Sequence, residues 1–376
     1  MMETERRAAP RPGLTIDAIR TSVVTRPYLR PFGISSGTSE VLTSLVVDVV
    51  AGDRVGRGEA APMTAYTGET LDGVRGAVEQ VLAPALVGRG LHGIADAVAV
   101  MDATVRHQHL AKAAVDIALH DLVAASAGVP AHTLLGGATR AQVPIAWVVG
   151  LGEVDEVVAE ACEHAARGFR HIKVKGGEDP ARDVRLVRAL TAALPVGVET
   201  SLDANEGYSR ADAIPALLDM DDAGLSMVEQ PLPRWDLRGL AELRRRLRLR
   251  VMVDESVQSL HDALAVIRAE AADIINIKVL KVGGLHRARQ VAALAEAAGL
   301  AVKVGSMPEL GVATLAGLHL AATTPSGSPP ADLVGPLMVE GDPVAPDVFG
   351  AGRHGFLPVP DGPGLGHQPA PDGGTR

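Results

Sequence analysis

Residues 171–205 read HIKVKGGEDPARDVRLVRALTAALPVGVETSLDAN. A short run containing β-branched residues, His171 to Lys175, passes into a stretch rich in Ala, Leu and Arg. It emerges in a second run, Val198 to Asp203, so the segment predicts strand, helix and strand. The same texture recurs on both sides. Runs at Val143 to Val149, Ser226 to Glu229, Arg250 to Asp254, Asp273 to Lys278 and Ala301 to Gly305 return at intervals of about 25 residues. Strands alternating with helices at that period imply parallel βαβ units. Seven or eight in succession favour a closed barrel over the runner-up, an open doubly wound sheet.

Ahead of the barrel, residues 14 to 60 alternate as antiparallel strands do, with a turn at Gly52-Asp53. From Thr70 to about Ser126 the pattern becomes helical, including Leu71 to Leu82 and Ala111 to Leu122. The expected division is an α+β domain over 1–135, the barrel over 136–334, and a C-terminal segment over 335–376 that packs back on the first domain.

The chain has 376 residues, 47% of them hydrophobic, and a net charge of -9. General disorder and polyanionic partners such as nucleic acid do not fit that balance. The basic run Arg244, Arg245, Arg246, Arg248 and Arg250 is expected to be a solvated helix end. Cys162 is the only cysteine, which excludes an intrachain disulfide framework and a cysteine-built metal site and suits a reducing compartment. Met1 to Pro12 contains no apolar core of a signal peptide, and no stretch approaches ~18 uninterrupted apolar residues. A cytoplasmic protein without a membrane span is therefore expected. Of the 36 basic residues, only Lys112, Lys173, Lys175, Lys278, Lys281 and Lys303 are lysine. Lysine can give up its proton where arginine cannot, so these positions are candidates for proton chemistry.

In a βα barrel the C-terminal strand ends form the active-site face. Lys173 and Lys175, at spacing two, share one side of their strand. The following runs end in Asp203-Ala204-Asn205, Glu229-Gln230-Pro231, Asp254-Glu255-Ser256 and Asn276-Ile277-Lys278. Three acids on adjacent strand ends would repel one another unless a cation stood among them. Asp203, Glu229 and Asp254 form an all-oxygen set that favours Mg²⁺, or Mn²⁺, with positions left open for substrate oxygens. Lys173 and Lys175 precede this centre in strand order and Lys278 follows it. A metal holding a carboxylate substrate would stabilise the enolate formed by α-proton loss. Lysines pulled toward neutrality by the metal and by each other could then remove the proton from one side and return it on the other. Lys173 could also serve as an ion-pair partner that supports Lys175.

Lys173-Val174-Lys175, Asp203-Ala204-Asn205, Glu229-Gln230-Pro231, Asp254-Glu255-Ser256 and Asn276 to Gly284, in this order, resemble the signature of the enolase superfamily, specifically its muconate lactonizing enzyme subgroup. The resemblance implies a modified (β/α)7β TIM-like barrel, α/β in class, with an α+β capping domain, and a homo-oligomer. It also implies Lys175 and Lys278 as the acid/base pair and Asp203, Glu229 and Asp254 as metal ligands. Glu309, Asn205 and Asp332 are the matching candidates for substrate binding. Arg26 to Thr38 and Gly58 to Pro62 resemble loops that close over the substrate. Pro31-Phe32 and Gly58 to Thr70 look like dipeptide epimerases, whose Asp-x-Asp element holds a substrate amine. Here Ala331-Asp332-Leu333-Val334 keeps one acid, and Gly335-Pro336-Leu337, with Trp147, is closer to the cycloisomerases. Lys281 belongs to the family pattern behind the site, whereas Lys303 departs from it.

The expected function is a Mg²⁺-dependent isomerase that abstracts the proton α to a carboxylate, racemising or epimerising an N-acyl amino acid, dipeptide or betaine. The alternatives are a muconate-type cycloisomerase, an acid dehydratase, and an inactive barrel serving as a binding or scaffold protein. Two other signals are set aside. Gly88 to Gly93 matches a dinucleotide fingerprint only as a string, since it follows a helix. His107 and His109, at spacing two on an expected helix, would point to different faces.

Overall fold

The computed structural model describes residues 13–34, 37–342, 344, 349 and 354–367; the rest of the N-terminal stretch and tail read above lies outside the described residues. A seven-stranded parallel sheet runs in sequence order through Trp147–Val149, His171–Lys175, Glu199–Asp203, Met227–Glu229, Arg250–Val253, Ile274–Lys278 and Ala301–Gly305. Its two edges meet through a segment one bridge long. Ala331 pairs in parallel with Ile145 beside the first strand, and the Asp332 amide donates to Val304 O of the last at 3.0 Å. The fold is thus α/β, with the eighth barrel position reduced to the residues around Asp332.

Period-two alternation explains why these strands close around a polar mouth. Outward-facing Ile172, Val174, Leu202, Val228, Val253, Ile275 and Val304 pack into the main core beneath the helices. Inward, Met227, Met252 and Ile274, with Ala301 against them, form a separate apolar floor. Two residues further along those same strands stand Glu229, Asp254, Asn276 and Lys303, all buried. The helices start where side chains cap them: Asp179, Ser209, Asp236 and Ser259 each accept an amide of the first turn.

Three expectations are corrected. Val143 to Val149 is not one strand, because Pro144 cannot donate to a ladder. Gln142–Pro144 pairs with Phe356–Pro358, and only Trp147–Val149 enters the barrel. The stretch read as one helix from Leu71 to Leu82 is α-helical over Leu71–Gly76 and widens to a π-helix over Ala77–Leu82. His107 lies outside any helix, with a positive φ, and His109 opens the helix His109–Ala127. The arginine run is a paired helix end: Arg244 reaches Asp273 at 2.6 Å, and Arg248 reaches Asp222 at 2.6 Å. No helix among the described residues is long and apolar enough to cross a membrane.

The N-terminal part is an antiparallel sheet of Ala18–Ile34, Gly37–Ala51 and Arg54–Ala60, with His109–Ala127 laid across its last strand. The approach is so close that a Cβ on Gly58 would stand 1.8 Å from Ala114 O. From the same strand Glu59 reaches the barrel. Its Oε1 accepts from Ser44 Oγ and Leu310 N, both at 2.7 Å, and its Oε2 from Ala313 N at 2.9 Å. Glu59 therefore caps the barrel helix Gly311–Ala322 from outside the barrel. Burial pushes its carboxyl up to about 7, against the pull of those donors.

Gly58→Ala is expected to lower stability by about 1–3 kcal/mol or more through overpacking, read as a lower denaturant midpoint. Gly76→Ala, in a helix with nothing within 4 Å of the added carbon, should leave the midpoint unchanged or raise it by up to ~1 kcal/mol.

Candidate active site

The mouth of the barrel holds two groups of ion pairs bridged by the neutral Asn276. Asp203 ends the third strand, Glu229 the fourth, and Asp254 follows the fifth; all three are fully buried. Lys175 Nζ lies 2.7 Å from Asp203 Oδ2 and 3.0 Å from Asn205 Oδ1. Lys173 Nζ meets Glu229 Oε2 at 2.7 Å and one oxygen each of Asp203 and Asp332 at 3.0 Å. On the far side, Lys278 Nζ stands 2.8 Å from Asp254 Oδ2, while Lys281 Nζ takes Asp254 Oδ1 at 2.6 Å and Asn276 O at 2.9 Å. The structure therefore joins every lysine and carboxylate expected at the strand ends.

Burial opposes ionisation of Asp203 and Asp254, yet Lys173 and Lys175 hold the first, and Lys278 and Lys281 the second, well below the usual carboxylate range. Glu229 moves the other way, raised by burial and by Asp203. Glu255 is pushed up to about 8 by burial and by Asp254. With only the protein's own charges around them, Lys173 and Lys278 are shifted upward. Burial lowers both, but the carboxylates they touch outweigh it and hold them charged. In this arrangement the ammonium groups are themselves the counter-ions of the acids.

Among the described residues no three His, Cys, Asp or Glu stand together as a ready-made metal cage, since ammonium groups are lodged among the acids. The donor chemistry nevertheless fits a hard divalent cation. Glu229 Oε2 and Asp254 Oδ2 are buried without an aligned hydrogen bond despite the nearby ammonium groups. The other Glu229 oxygen is fixed by Asn276 Nδ2 at 2.8 Å. Unsatisfied carboxylate oxygen on two adjacent strand ends, Glu229 and Asp254, beside the carboxylate of Asp203 and with no nitrogen or sulfur donor, is what Mg²⁺ or Mn²⁺ accepts.

Above the network a pocket opens. Lys173, Lys175, Asn205, Lys278, Ser306 and Asp332 line its base, and Tyr28, Phe32, Leu42, Met63, Val334 and Met338 its apolar walls. Tyr66, unread in the sequence, lays its ring 4.4 Å from Lys278 Nζ, and its hydroxyl is buried without a partner. Nothing in the local sequence marks it, because the N-terminal part delivers it to the mouth. Gln230 was read only as part of a motif. Its Oε1 accepts from the amides of Asp254 and Ser256 at 2.9 and 3.1 Å, fixing the turn that presents the third acid. Glu309 stands behind the pocket wall that Met307 and Pro308 form, accepting from Met307 N at 3.1 Å. Burial and the nearby Glu59 raise its carboxyl well above the usual range. Trp147 turns away from the pocket and stacks on His164 at 3.6 Å.

Mg²⁺ is expected to raise the melting temperature by a few degrees, because a ligand held only by the folded state stabilises it. Glu229→Gln should abolish the rise in the same thermal-shift titration. An undiminished rise would remove Glu229 from the metal site.

The family model described as "Enolase C-terminal domain-like" matches residues 156–373, and "Mandelate racemase / muconate lactonizing enzyme, N-terminal domain" matches residues 16–136. Muconate cycloisomerase 1 of Rhodococcus opacus is 37% identical over 360 residues, covering 94% of this chain and 95% of that protein. N-succinyl-L-Arg/Lys racemase of Bacillus cereus is 30% identical, covering 82% and 84%. A dipeptide epimerase from Enterococcus faecalis, solved with Mg and the dipeptide L-Leu-L-Tyr, superposes with a TM-score of 0.88 at 31% identity, covering 94% of this chain and all of that one.

Proposed function

The chain belongs to the mandelate racemase / muconate lactonizing enzyme family of the enolase superfamily, and on that premise we propose that it racemises or epimerises a small carboxylate by moving its α-proton between two lysines. The observation that carries this reading is the placement of Lys175 and Lys278. They sit on the second and sixth of eight positions around a closed ring, so they approach the pocket from opposite sides, and both line it. Asp203, Glu229 and Asp254 would hold Mg²⁺ or Mn²⁺. When bound, the cation would supply the positive charge those acids now draw from lysine and would stabilise the negative charge that develops on the substrate carboxylate.

Lys175 Nζ, oriented by Asn205 Oδ1, takes the proton from one face of the α-carbon, and Lys278 Nζ, set beneath the Tyr66 ring, delivers one to the other. Lys173 contacts three carboxylates and stays charged, so it orients the substrate carboxylate and supports Lys175. Asp332 holds Lys173 in place, and Glu309 fixes the Met307 turn of the pocket wall. The apolar upper wall suits an uncharged acyl group or side chain, which favours an N-acyl amino acid. A muconate-type cycloisomerase is the second reading, favoured by the 37% identical cycloisomerase. Free Cys162 supports a reducing, cytoplasmic setting.

With Mg²⁺ in deuterated solvent, N-acyl amino acids should exchange their α-hydrogen. Lys175→Ala and Lys278→Ala should each block exchange from one stereoisomer by at least ~10²-fold while sparing the other, as loss of a positioned base does. Turnover of both isomers untouched in Lys278→Ala would sink the two-base account. Conversion of cis,cis-muconate to a lactone without exchange of acyl amino acids would favour the second reading.

A further inference from the structure

The reaction uses the lysines of the second and sixth strands and gives no part to Lys303, the most deeply buried of the lysines. Lys303 stands in the middle of the last strand, paired in register with Asn276, and is wholly buried. Among the described residues its one ionic partner is Asp332 Oδ1 at 2.7 Å, a contact that lies off the hydrogen-bond axis. Asp332 Oδ2 takes Lys173 Nζ at 3.0 Å. Asp332 is therefore a carboxylate clamped between two buried ammonium groups, at the pocket base and on the segment that closes the barrel.

An apolar side chain would fill the Lys303 position without the desolvation that a buried ammonium incurs, so packing alone does not account for it. The charge arrangement does. Without Lys303, Asp332 would depend on Lys173 alone, which already answers Glu229 and shares Asp203 with Lys175. The mouth would also gain one uncompensated negative charge. Glu229 already feels Lys303 electrostatically. The other group that senses the pair, His171, is buried on the second strand with Nε2 on Ser201 Oγ at 2.8 Å, and burial holds it below its ordinary range.

We propose that Lys303 is a positioning residue acting through Asp332: it cancels that acid's charge inside the barrel, leaves Lys173 to Asp203 and Glu229, and thereby sets how strongly the mouth attracts a divalent cation. The inference rests on the metal site of the proposed function.

Mg²⁺ binding is measured by calorimetry without substrate on the wild type, Lys303→Met, Asp332→Asn and the double variant. Removing the cation should tighten Mg²⁺ about tenfold, removing the acid should weaken it about tenfold, and removing both should return it to within about twofold of wild type. Opposite signs that cancel are not produced by loosened packing. If Lys303→Met does not fold, the other two variants carry the test, with a weakened single and a restored double expected. Unchanged affinity in Asp332→Asn, or a double variant no closer to wild type than the singles, overturns the inference. A wild type that binds no Mg²⁺ overturns the metal reading and this inference with it.

Discussion

Three fully buried carboxylates can share one barrel mouth only if cations stand in contact with them. That requirement accounts for more of this molecule than any other single interaction. It explains why lysine, a compact charge on a flexible stem, stands where the chain otherwise uses arginine. Of the six lysines, five surround this mouth: Lys173, Lys175 and Lys303 pair with Asp203, Glu229 and Asp332, and Lys278 and Lys281 with Asp254, the two groups bridged by Asn276 into one polar network. The sixth, Lys112, pairs with Asp102 at 2.8 Å, apart from that network.

The scaffold is arranged around that network. Met227, Met252 and Ile274 seal the barrel below it, so the charges are screened by one another rather than by water. Asn276 and Gln230 hold Glu229 and the Asp254 turn by neutral hydrogen bonds, which fixes geometry without adding charge. The N-terminal part closes the mouth with the Tyr66 ring, a surface that tolerates a cation beneath it. Each component leaves the balance of charge where the strand ends set it.

The strand ends were legible because period-two alternation on a barrel strand fixes both the side and the height of a residue. Lys173, Lys175, Asp203, Glu229, Asp254 and Lys278 could therefore be placed together from the chain alone. Lys303 could be placed but not explained. Its partner lies on a closing segment one bridge long, too short to announce itself as a strand. Tyr66 and Glu59 come from a part of the chain whose docking on the barrel no local pattern encodes. Spacing gives position, whereas the charge state of Lys173 and Lys278 depends on contacts of a few ångströms that no spacing states.

Glu59 has a consequence for how the molecule can be divided. A carboxylate from the N-terminal sheet accepts the Leu310 and Ala313 amides at the start of the barrel helix Gly311–Ala322, where Asp342 answers only Gly311, so the barrel alone would leave two of those amides unanswered and the sheet alone a stranded acid. The two parts are thus not interchangeable modules. Recombining this barrel with another N-terminal part to alter its selectivity would require the donor to bring its own acid to that helix end, a coupling that ties the evolution of specificity to the integrity of the fold.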